Sequence, residues 1–415
     1  MSSLSHNKSK LKSLDIISLL SACIVPLMIT GPFLPDLLLS VLSLWFLYYS
    51  LKNKIYTIYF NPYFYIFIFF CLICILSSFL SDDIFLSLES SLFYFRIGIF
   101  ALLISFLIDY KKNILNYFYY SFVITFLFLI IDGFTQYFTG WNLFGIQLQG
   151  VRVSSIFGEE LILGSYLSRL FPLFFALFVS REKKHYLELY FVSILFIFIE
   201  VLIFLSGERA AFVLFNLSSV FIILFIHKYK LLRLSIFIIS STLIIILLMN
   251  NSKLYDRYIT TIVINSGLSD KTKKTFIFTP AHDSLIKTAW NMFLDKPILG
   301  HGPKLYRIKC KNSKYAVGVS PCHTHPHNFY IQLLAETGVV GFSFLAGLFI
   351  YFVYIVMRHT IVYLRYKKRW LSDYQICLLA GLLITIWPVT TNGNIFSNKL
   401  MIFYGLQMGF FRKIK

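Results

Sequence analysis

Twelve apolar runs, most of them close to 20 residues long, dominate this chain of 415 residues. The hydrocarbon core of a bilayer is about 30 Å thick, so a helix needs roughly 20 apolar residues to cross it. The sequence therefore predicts an all-α polytopic membrane protein with about 12 transmembrane helices. The runs lie at 14–30, 33–51, 62–80, 91–108, 114–131, 161–180, 187–205, 210–226, 231–249, 329–357, 374–390 and 396–411.

The composition excludes the other broad classes of protein. Apolar residues make up 58% and charged residues 14% of the chain, against roughly 45–50% and about 25% in soluble globular domains. A mean hydropathy of +0.73 is incompatible with a disordered chain, a collagen, a coiled coil or a soluble enzyme. The net charge of +19 would suggest nucleic acid in a soluble protein. Here the basic residues cluster between apolar runs, so no nucleic-acid partner is expected.

The distribution of basic residues predicts the orientation in the membrane. With the N-terminus in the cytoplasm, every cytoplasmic connection contains at least two Lys or Arg, and one short external loop is acidic. This pattern follows the positive-inside rule and places both termini in the cytoplasm. The first run has no small-residue cleavage site after it and is interpreted as a retained helix. The basic groups begin with Lys8, Lys10, Lys12, Lys52, Lys54, Lys111 and Lys112, and continue with Arg181, Lys183, Lys184, Lys228, Lys230, Arg233, Arg358, Arg365, Lys367, Lys368, Arg369, Arg412, Lys413 and Lys415.

Three regions follow from this pattern. Residues 1–249 hold the first nine helices, 250–328 form an external loop domain, and 329–415 hold the last three helices. The loop contains twelve Lys or Arg but only four acids; a loop longer than about 60 residues is translocated largely regardless of charge. The loop is either a solvated surface near anionic headgroups or a site for a phosphate-bearing substrate. Within it, 283–294 has helical apolar spacing, with Asp283 or Ser284 expected as cap and Pro297 as terminator.

Two of the six cysteines, Cys310 and Cys322, lie in the external loop, where the compartment is oxidising. We predict a disulfide between them, worth roughly 3 kcal/mol on the loop-entropy account. It would hold the backbone immediately before a group of histidines. Cys71 and Cys74 form a C-x-x-C inside an apolar run, where thiols behave as small hydrophobes.

Three histidines at alternate positions, His323, His325 and His327, resemble a zinc ligand pattern. No carboxylate lies near them in the sequence and no second ligand cluster accompanies them, so we expect neither a metal nor another cofactor. Pro326 suits the first turn of a helix, which would let His327 and Asn328 open the tenth span from outside. The positive helix end disfavours an imidazolium, leaving His327 neutral and able to act as a base. Unpaired N–H groups there favour an anion.

Charged residues also mark the external edge elsewhere. Arg209 lies in a very short turn between two apolar runs, where it either offers a guanidinium fork to phosphate oxygens or snorkels to the interface. Arg152 and Glu160 flank the start of the sixth run. A carboxylate such as Glu160 at the membrane boundary is costly unless paired or exposed. Arg169 lies further into that run, and its charge is likewise costly there unless it is paired or exposed.

Four stretches together resemble the O-antigen ligase and polysaccharide polymerase superfamily of bacterial inner membranes. They are RVSSIFGEELILGSYL at 152–167, SGERAAF at 206–212, WNMFLDKPILGHGPKLYR at 290–307 and HPHNFYIQLLAETGVVG at 325–341. The resemblance covers about 130–345 in detail and the whole chain in topology. Members often have an Arg shortly before the loop Trp. Here His282 and Lys287 occupy that stretch, and Arg257 or Arg307 could supply the charge.

The resemblance implies a metal-independent transfer of a glycan from undecaprenyl pyrophosphate to an acceptor at the periplasmic face of the inner membrane. Arg209, and second Arg152, would bind the pyrophosphate, and His327 would take the proton of the attacking hydroxyl. The other candidate contacts to the donor are Arg257, Arg307, His325, Asn328 and Glu160.

The sequence leaves the acceptor open. A ligase would transfer the glycan to a lipid A–core acceptor, whereas a polymerase would extend the lipid-linked repeat. A non-enzymatic transporter of lipid-linked sugars is the third alternative. Against transport, the charges gather at one external edge, and no inverted repeat or broken helix pair stands out.

Overall fold

A computed structural model describes residues 13–110, 113–181, 185–265 and 278–411. Within these ranges the secondary structure is helical, with two isolated β-bridges and no extended strand. The helix Ile84–Tyr110 is interrupted between Ser91 and Phe95. The longer helices are α1 Ser13–Leu27, α2 Phe33–Lys52, α3 Pro62–Phe79, α4 Ile84–Tyr110, α5 Asn113–Thr139, α6 Leu163–Ser180, α7 Tyr186–Leu205, α8 Arg209–Phe225, α9 Lys230–Asn250, α10 Pro280–Asp295, α11 Phe329–Tyr366, α12 Asp373–Ile386 and α13 Asn398–Phe410.

Each of the twelve predicted spans coincides with one of these helices, which confirms the all-α polytopic fold. Eight helices of the described chain are long and apolar enough to cross a membrane, namely α2 to α7, α9 and α11. α1, α8 and α12 are apolar but shorter, and α13 has 13 residues. The count of twelve crossings therefore stays a prediction. So does the orientation, because part of its basic residues lie outside the described ranges: Lys8, Lys10, Lys12, Lys111, Lys112, Lys183, Lys184, Arg412, Lys413 and Lys415.

Helix α6 lies at the centre of the bundle. It is packed by α5, α7, α8 and α12, and nearly all of its residues are buried. Phe171, Phe174 and Phe175 meet the ring of Phe196 on α7 in tilted or edge-on contacts, a geometry favoured by aromatic quadrupoles. In contrast, α9 and most of α11 leave their Leu and Ile side chains exposed, as expected of helices that face lipid.

One fully buried ion pair lies within the bundle. Arg233 of α9 donates from Nη1 to Oε1 of Glu200 on α7 at 2.5 Å, with side-chain exposures of 0% and 2%. Its Nη2 donates to Ser219 at 2.6 Å, and Ser240 donates to the second carboxylate oxygen of Glu200. The guanidinium lies 5.0 Å from the ring of Phe171. The buried charge of Arg233 is thus balanced by the carboxylate of Glu200, and hydroxyl groups of the same bundle complete the hydrogen bonds.

Helix α12 ends earlier than its apolar run. The sequence predicted a span to residue 390, but the helix stops at Ile386 and Trp387 is extended (φ −63°, ψ 122°). Pro388 follows, and the residue before proline is pushed out of the helical region. The segment 387–397 is therefore irregular chain, and it contacts His327 and Asn328 before the start of α11 and Arg169 of α6. We call the end of the bundle at which these residues lie the site end.

The predicted continuous helix 329–357 is interrupted at Gly338, whose φ of +64° a non-glycine residue rarely adopts. The turn at 297–302 fills the interruption. Val339 donates its N–H to the carbonyl of Pro297 at 2.8 Å, and Gly302 donates to the carbonyl of Glu336 at 2.8 Å. A Cβ on Gly338 would lie 2.1 Å from the carbonyl oxygen of Ile298. The two glycine-containing motifs of the sequence therefore form one packed unit.

The described part of the loop 250–328 has its own small core. Leu285, Ala289 and Met292 of α10 pack with Tyr306 and with the first turns of α11. The predicted disulfide Cys310–Cys322 is confirmed, with Cα atoms 5.0 Å apart. The predicted start of the loop helix was wrong: α10 begins at Pro280 with Thr279 as its cap, because proline suits the first helical position. It ends at Asp295, two residues before the predicted terminator Pro297.

Candidate functional site

Three arginines surround the turn between α7 and α8. Arg257 donates from Nε to the carbonyl of Gly207 at 2.7 Å, and Arg152 donates from Nε to the carbonyl of Ser206 at 3.3 Å. Arg209 follows in the same turn and begins α8. Burial and then the charges of Arg152 and Arg209 lower the pKa of the Arg257 guanidinium, which follows from the crowding of three like charges.

Gly207 makes this crowding possible. Its φ is +67°, and a Cβ at this position would lie 2.6 Å from Nε of Arg257 and 2.8 Å from Cγ of Arg152. Glycine alone combines the left-handed backbone with the close approach of two side chains. The SGER motif therefore requires glycine because two arginines pack directly on its backbone.

Glu208 lies in the turn between Gly207 and Arg209, but its oxygens are already occupied. They accept hydrogen bonds from the N–H of Gly164 at 2.7 Å and from the hydroxyl of Ser165 at 2.5 Å. Glu208 thus binds the positive N-terminal end of α6. Arg209 forms no ion pair with any residue that the structure describes. The arginine cluster therefore keeps an excess of positive charge.

The loop that carries Arg152 is fixed on α5. Gln136 accepts from the N–H groups of Ser154 and Ser155 at 2.9 and 2.7 Å. Asp132 accepts from the hydroxyl of Ser155 and from the N–H of Leu143 at 2.9 Å. Because both acceptors are buried, the loop is a rigid support for Arg152 rather than a free connection.

Four histidines form a second cluster beside the arginines. The ring centroid of His327 lies 4.1 Å from that of His325, 4.7 Å from that of His323 and 5.3 Å from that of His282. The charge of Arg209, after burial, lowers the pKa of His282. His282 on α10 therefore links the two clusters.

The backbone around His327 differs from the predicted start of the tenth helix. Pro326 is not in the first turn: α11 begins at Phe329, and Asn328 caps it by accepting from the N–H groups of Tyr330 and Ile331 at 3.0 and 3.2 Å. Asn328 also donates to the carbonyl of Pro388 at 2.8 Å. Asparagine is a strong N-cap, and its use here leaves His327 outside the helix.

His327 itself adopts a left-handed backbone with φ +57°. The N–H of Asn392 donates to its carbonyl at 2.7 Å, and this contact comes from the segment 387–397. Left-handed backbone in a non-glycine residue is costly and is found mostly where the surroundings impose it. The conformation of His327 is thus fixed by a residue 65 positions away in the chain.

The pKa values of His325 and His327 both lie well below pH 7. Burial, followed by the charges of His323 and His282, lowers the pKa of His327 to about 4. Burial, followed by the charge of His327, lowers the pKa of His325 to about 3. The predicted neutrality of His327 is thus supported, but by desolvation and by the neighbouring histidines rather than by the helix end.

The remaining predicted site residues have other neighbours. Arg307 lies where its charge acts on His325 and Glu336, whereas Arg257 joins the cluster around Arg209. Lys287 pairs with Asp283 at 2.6 Å on the exposed side of α10. Glu160 is 54% exposed and pairs with Lys399 at 2.8 Å, which satisfies the charge that its position near the membrane made costly.

Among the described residues, His323, His325 and His327 are close enough together to be considered as ligands of one metal ion. Their ring nitrogens lie within 4.8 Å of one another. Against a metal, Nε2 of His325 is 3.3 Å from the carbonyl of Asn392, and the charge of Arg307 reaches His325. A zinc site also needs a fourth ligand or an open position among anionic or neutral groups. The donor set is thus a poor match for a cation.

Sequence reasoning missed Glu208 and Asn392. Glu208 stood beside Arg209 in the quoted turn, and an acid next to an arginine at a membrane edge is a signal for a cap or an ion pair. Asn392 lies in TTNGN, which signals only a turn. No local pattern indicates that its N–H reaches the carbonyl of His327.

The fold and this site define a polytopic membrane protein with a concentrated positive charge and neutral histidines at one end of its bundle. Residues 191–346 match the family model described as O-antigen ligase. This stretch runs from α7 to α11, includes Arg209, Arg257 and the four histidines, and agrees with the resemblance to the O-antigen ligase and polysaccharide polymerase superfamily. No curated protein matches the chain.

Proposed function

We propose that this protein transfers a glycan from undecaprenyl pyrophosphate to a lipid A–core acceptor at the periplasmic face of the bacterial inner membrane. The observation that supports this most is the juxtaposition of Arg152, Arg209 and Arg257 with neutral His327. Glu208 acts on the charges of Arg152 and Arg257, but its oxygens are bound to the start of α6. Such a site accepts an anionic leaving group next to a base.

The arginines would bind the pyrophosphate of the donor. Guanidinium groups form charge-assisted, often bidentate hydrogen bonds to phosphate oxygens. Charge grows on the bridging phosphate oxygen as the bond to the sugar breaks, so cations fixed in advance stabilise the transition state more than the ground state. Arg209, which lacks an ion-pair partner in the described chain, is assigned this role first, with Arg152 and Arg257 beside it.

His327 would accept the proton of the acceptor hydroxyl. The acceptor oxygen forms a bond to the anomeric carbon, the bond from that carbon to the phosphate oxygen breaks, and undecaprenyl pyrophosphate leaves with the electron pair. A base must be unprotonated when the acceptor arrives, and the low pKa of His327 ensures this. The bound anionic donor raises that pKa, because a nearby negative charge favours the imidazolium. The histidine thus becomes a stronger base once the donor is present.

The experiment uses the purified full-length protein in lipid, undecaprenyl pyrophosphate-linked glycan and a lipid A–core acceptor. We expect glycan on the core, with and without a chelator, and loss of product in Arg209→Ala and His327→Ala. Lys287→Ala, which removes an exposed cation of α10, is the matched control and should retain activity. If the products were longer lipid-linked chains and the core were unmodified, the activity would be that of a polymerase and not of a ligase. Absence of both products from a folded protein would contradict glycan transfer.

A further inference from the structure

Arg169 is a buried cation without a counter-charge in the described chain. It lies six residues into α6, about 9 Å from the first residue of that helix, and it is 4% exposed. Its Nη2 donates to Oδ1 of Asn392 at 3.2 Å, whereas its Nε and Nη1 have no hydrogen-bond partner among the described residues. An arginine stays charged when buried, so this arrangement is costly unless something else supplies negative charge.

Two further groups with open hydrogen bonds lie beside it. Nδ2 of Asn392 and the hydroxyl of Tyr404 are buried and also lack a described partner. Tyr404 is six residues from the start of α13, as Arg169 is from the start of α6, and the charge of Arg169 acts on its phenol. The guanidinium and the amide nitrogen are donors only, and the phenol is able to donate. A set of converging donors around a cation suits an oxyanion.

The position of Asn392 connects this group to the histidines. Its N–H donates to the carbonyl of His327, and its carbonyl lies 3.3 Å from Nε2 of His325. A ligand on the side chain of Asn392 would therefore bind the same residue whose N–H holds the carbonyl of His327. Arg169, Asn392 and Tyr404 all lie outside the matched stretch 191–346.

We propose that Arg169, Asn392 and Tyr404 bind an oxyanion of the glycan donor, in addition to the arginine cluster at the turn 206–209. The inference rests on the proposed function. The oxyanion is either a phosphate of the lipid carrier or a carboxylate of an acidic sugar, since both present oxygens to a guanidinium in the same geometry. Asn392 would then hold the oxyanion with its side chain and His327 with its N–H, so that the donor and the base are positioned by one residue.

The test measures affinity in lipid nanodiscs for two probes, undecaprenyl pyrophosphate without sugar and free glucuronate. Arg169→Gln should weaken one of them about tenfold or more, since one charged hydrogen bond is lost. Loss for undecaprenyl pyrophosphate identifies the carrier phosphate, and loss for glucuronate identifies a sugar carboxylate. Unchanged affinity for both would overturn the proposal and leave Arg169 as a support for Asn392. Lys287→Gln is the control and should bind both probes normally.

Thermal unfolding separates binding from structure. Because Arg169→Gln removes an unmatched buried charge, the unliganded variant should melt no lower than the wild type, a result that a purely structural arginine would not give. If it melts lower, Tyr404→Phe decides: weaker binding of the same probe with unchanged melting supports the site, and unchanged binding overturns it. Wild-type protein that binds a probe through Arg169 but forms no glycan product would contradict the proposed function and leave the oxyanion site standing.

Discussion

Two regions of the bundle hold buried arginines in opposite ways. Arg233 lies within the bundle with Glu200, Ser219 and Ser240 around it, and its charge is matched by the protein. At the site end, Arg169 and Arg209 have no ion-pair partner in the described chain, although Arg169 is buried. The same bundle therefore pairs one buried arginine with a carboxylate and leaves two other arginines without an ion-pair partner in the described chain.

This difference indicates a structural role for the paired Arg233 and a binding role for the unpaired Arg169 and Arg209. A paired arginine between helices contributes specificity of packing, and the loss of either partner is expensive. An arginine left unmatched costs stability in the free protein, a cost that a negatively charged substrate removes on binding. Stability given up at binding sites is a common trade-off in enzymes. The comparison therefore predicts that variants of the two regions separate into those that unfold and those that stop working.

The largest effect is expected at the site end. His327→Ala should lower the transfer rate about 10²–10⁴-fold, the usual contribution of a positioned base, while the melting temperature stays near that of the wild type. Rates are measured with purified protein in lipid. If the His327→Ala variant is folded and fully active, His327 is not the base.

The buried pair should give the largest effect on stability. Glu200→Gln leaves Arg233 charged and unmatched, and we expect a loss of about 3–5 kcal/mol in the free energy of unfolding. The double variant Glu200→Leu with Arg233→Met removes both charges and should regain most of it. Denaturant unfolding in detergent measures both. If the single variant were as stable as the double, the pair would not be a matched structural unit.

Gly207→Ala should have a moderate effect on activity. The added Cβ collides with Nε of Arg257 and Cγ of Arg152, and the left-handed backbone becomes strained by about 1–3 kcal/mol. We expect roughly tenfold slower transfer through displacement of the arginines. Gly347→Ala is the matched control, because its Cβ would meet no atom within 4 Å. Equal losses in both would show that the turn is not specifically packed.

The smallest effect is expected from pH near neutrality. The pKa of His327 is about 4 in the folded protein, below the usual value near 6.5. The neutral form is thus present above pH 6, so the rate with subsaturating donor should be flat from pH 6 to 8 and fall only towards pH 4. Because the unfolded chain binds this proton more readily, His327 contributes stability above pH 6.5 that is lost as the pH falls through 4. A midpoint of activity near 6.5 would indicate an exposed histidine.

The sequence predicts the elements of this molecule well and their ends less well. Long apolar runs identify the helices because membrane spans need a fixed length, and Cys310 and Cys322 pair as expected. Helix ends depend on single capping side chains. Thr279 and Asn328 begin their helices where Asp283 or Ser284 and Pro326 were expected, and Gly338 interrupts a helix that looked continuous.

The site was predictable in its residue types but not in its contacts. Arg209, Arg152 and the histidines stand out because charge at a membrane edge is expensive. Whether Arg257 or Arg307 joins Arg209 depends on the path of the loop, which no periodicity specifies. The contact from Asn392 to His327 joins residues far apart in the chain and leaves no trace in local sequence.

The most direct test of the central claim is the melting temperature of the purified protein with and without undecaprenyl pyrophosphate. If the site end leaves its positive charge for the substrate, the ligand at about 100 times its Kd should stabilise the wild type by roughly 2.7 kcal/mol. His327→Ala should keep this shift, and Arg209→Ala should lose most of it. An equal shift in Arg209→Ala, or none in the wild type, would contradict the account.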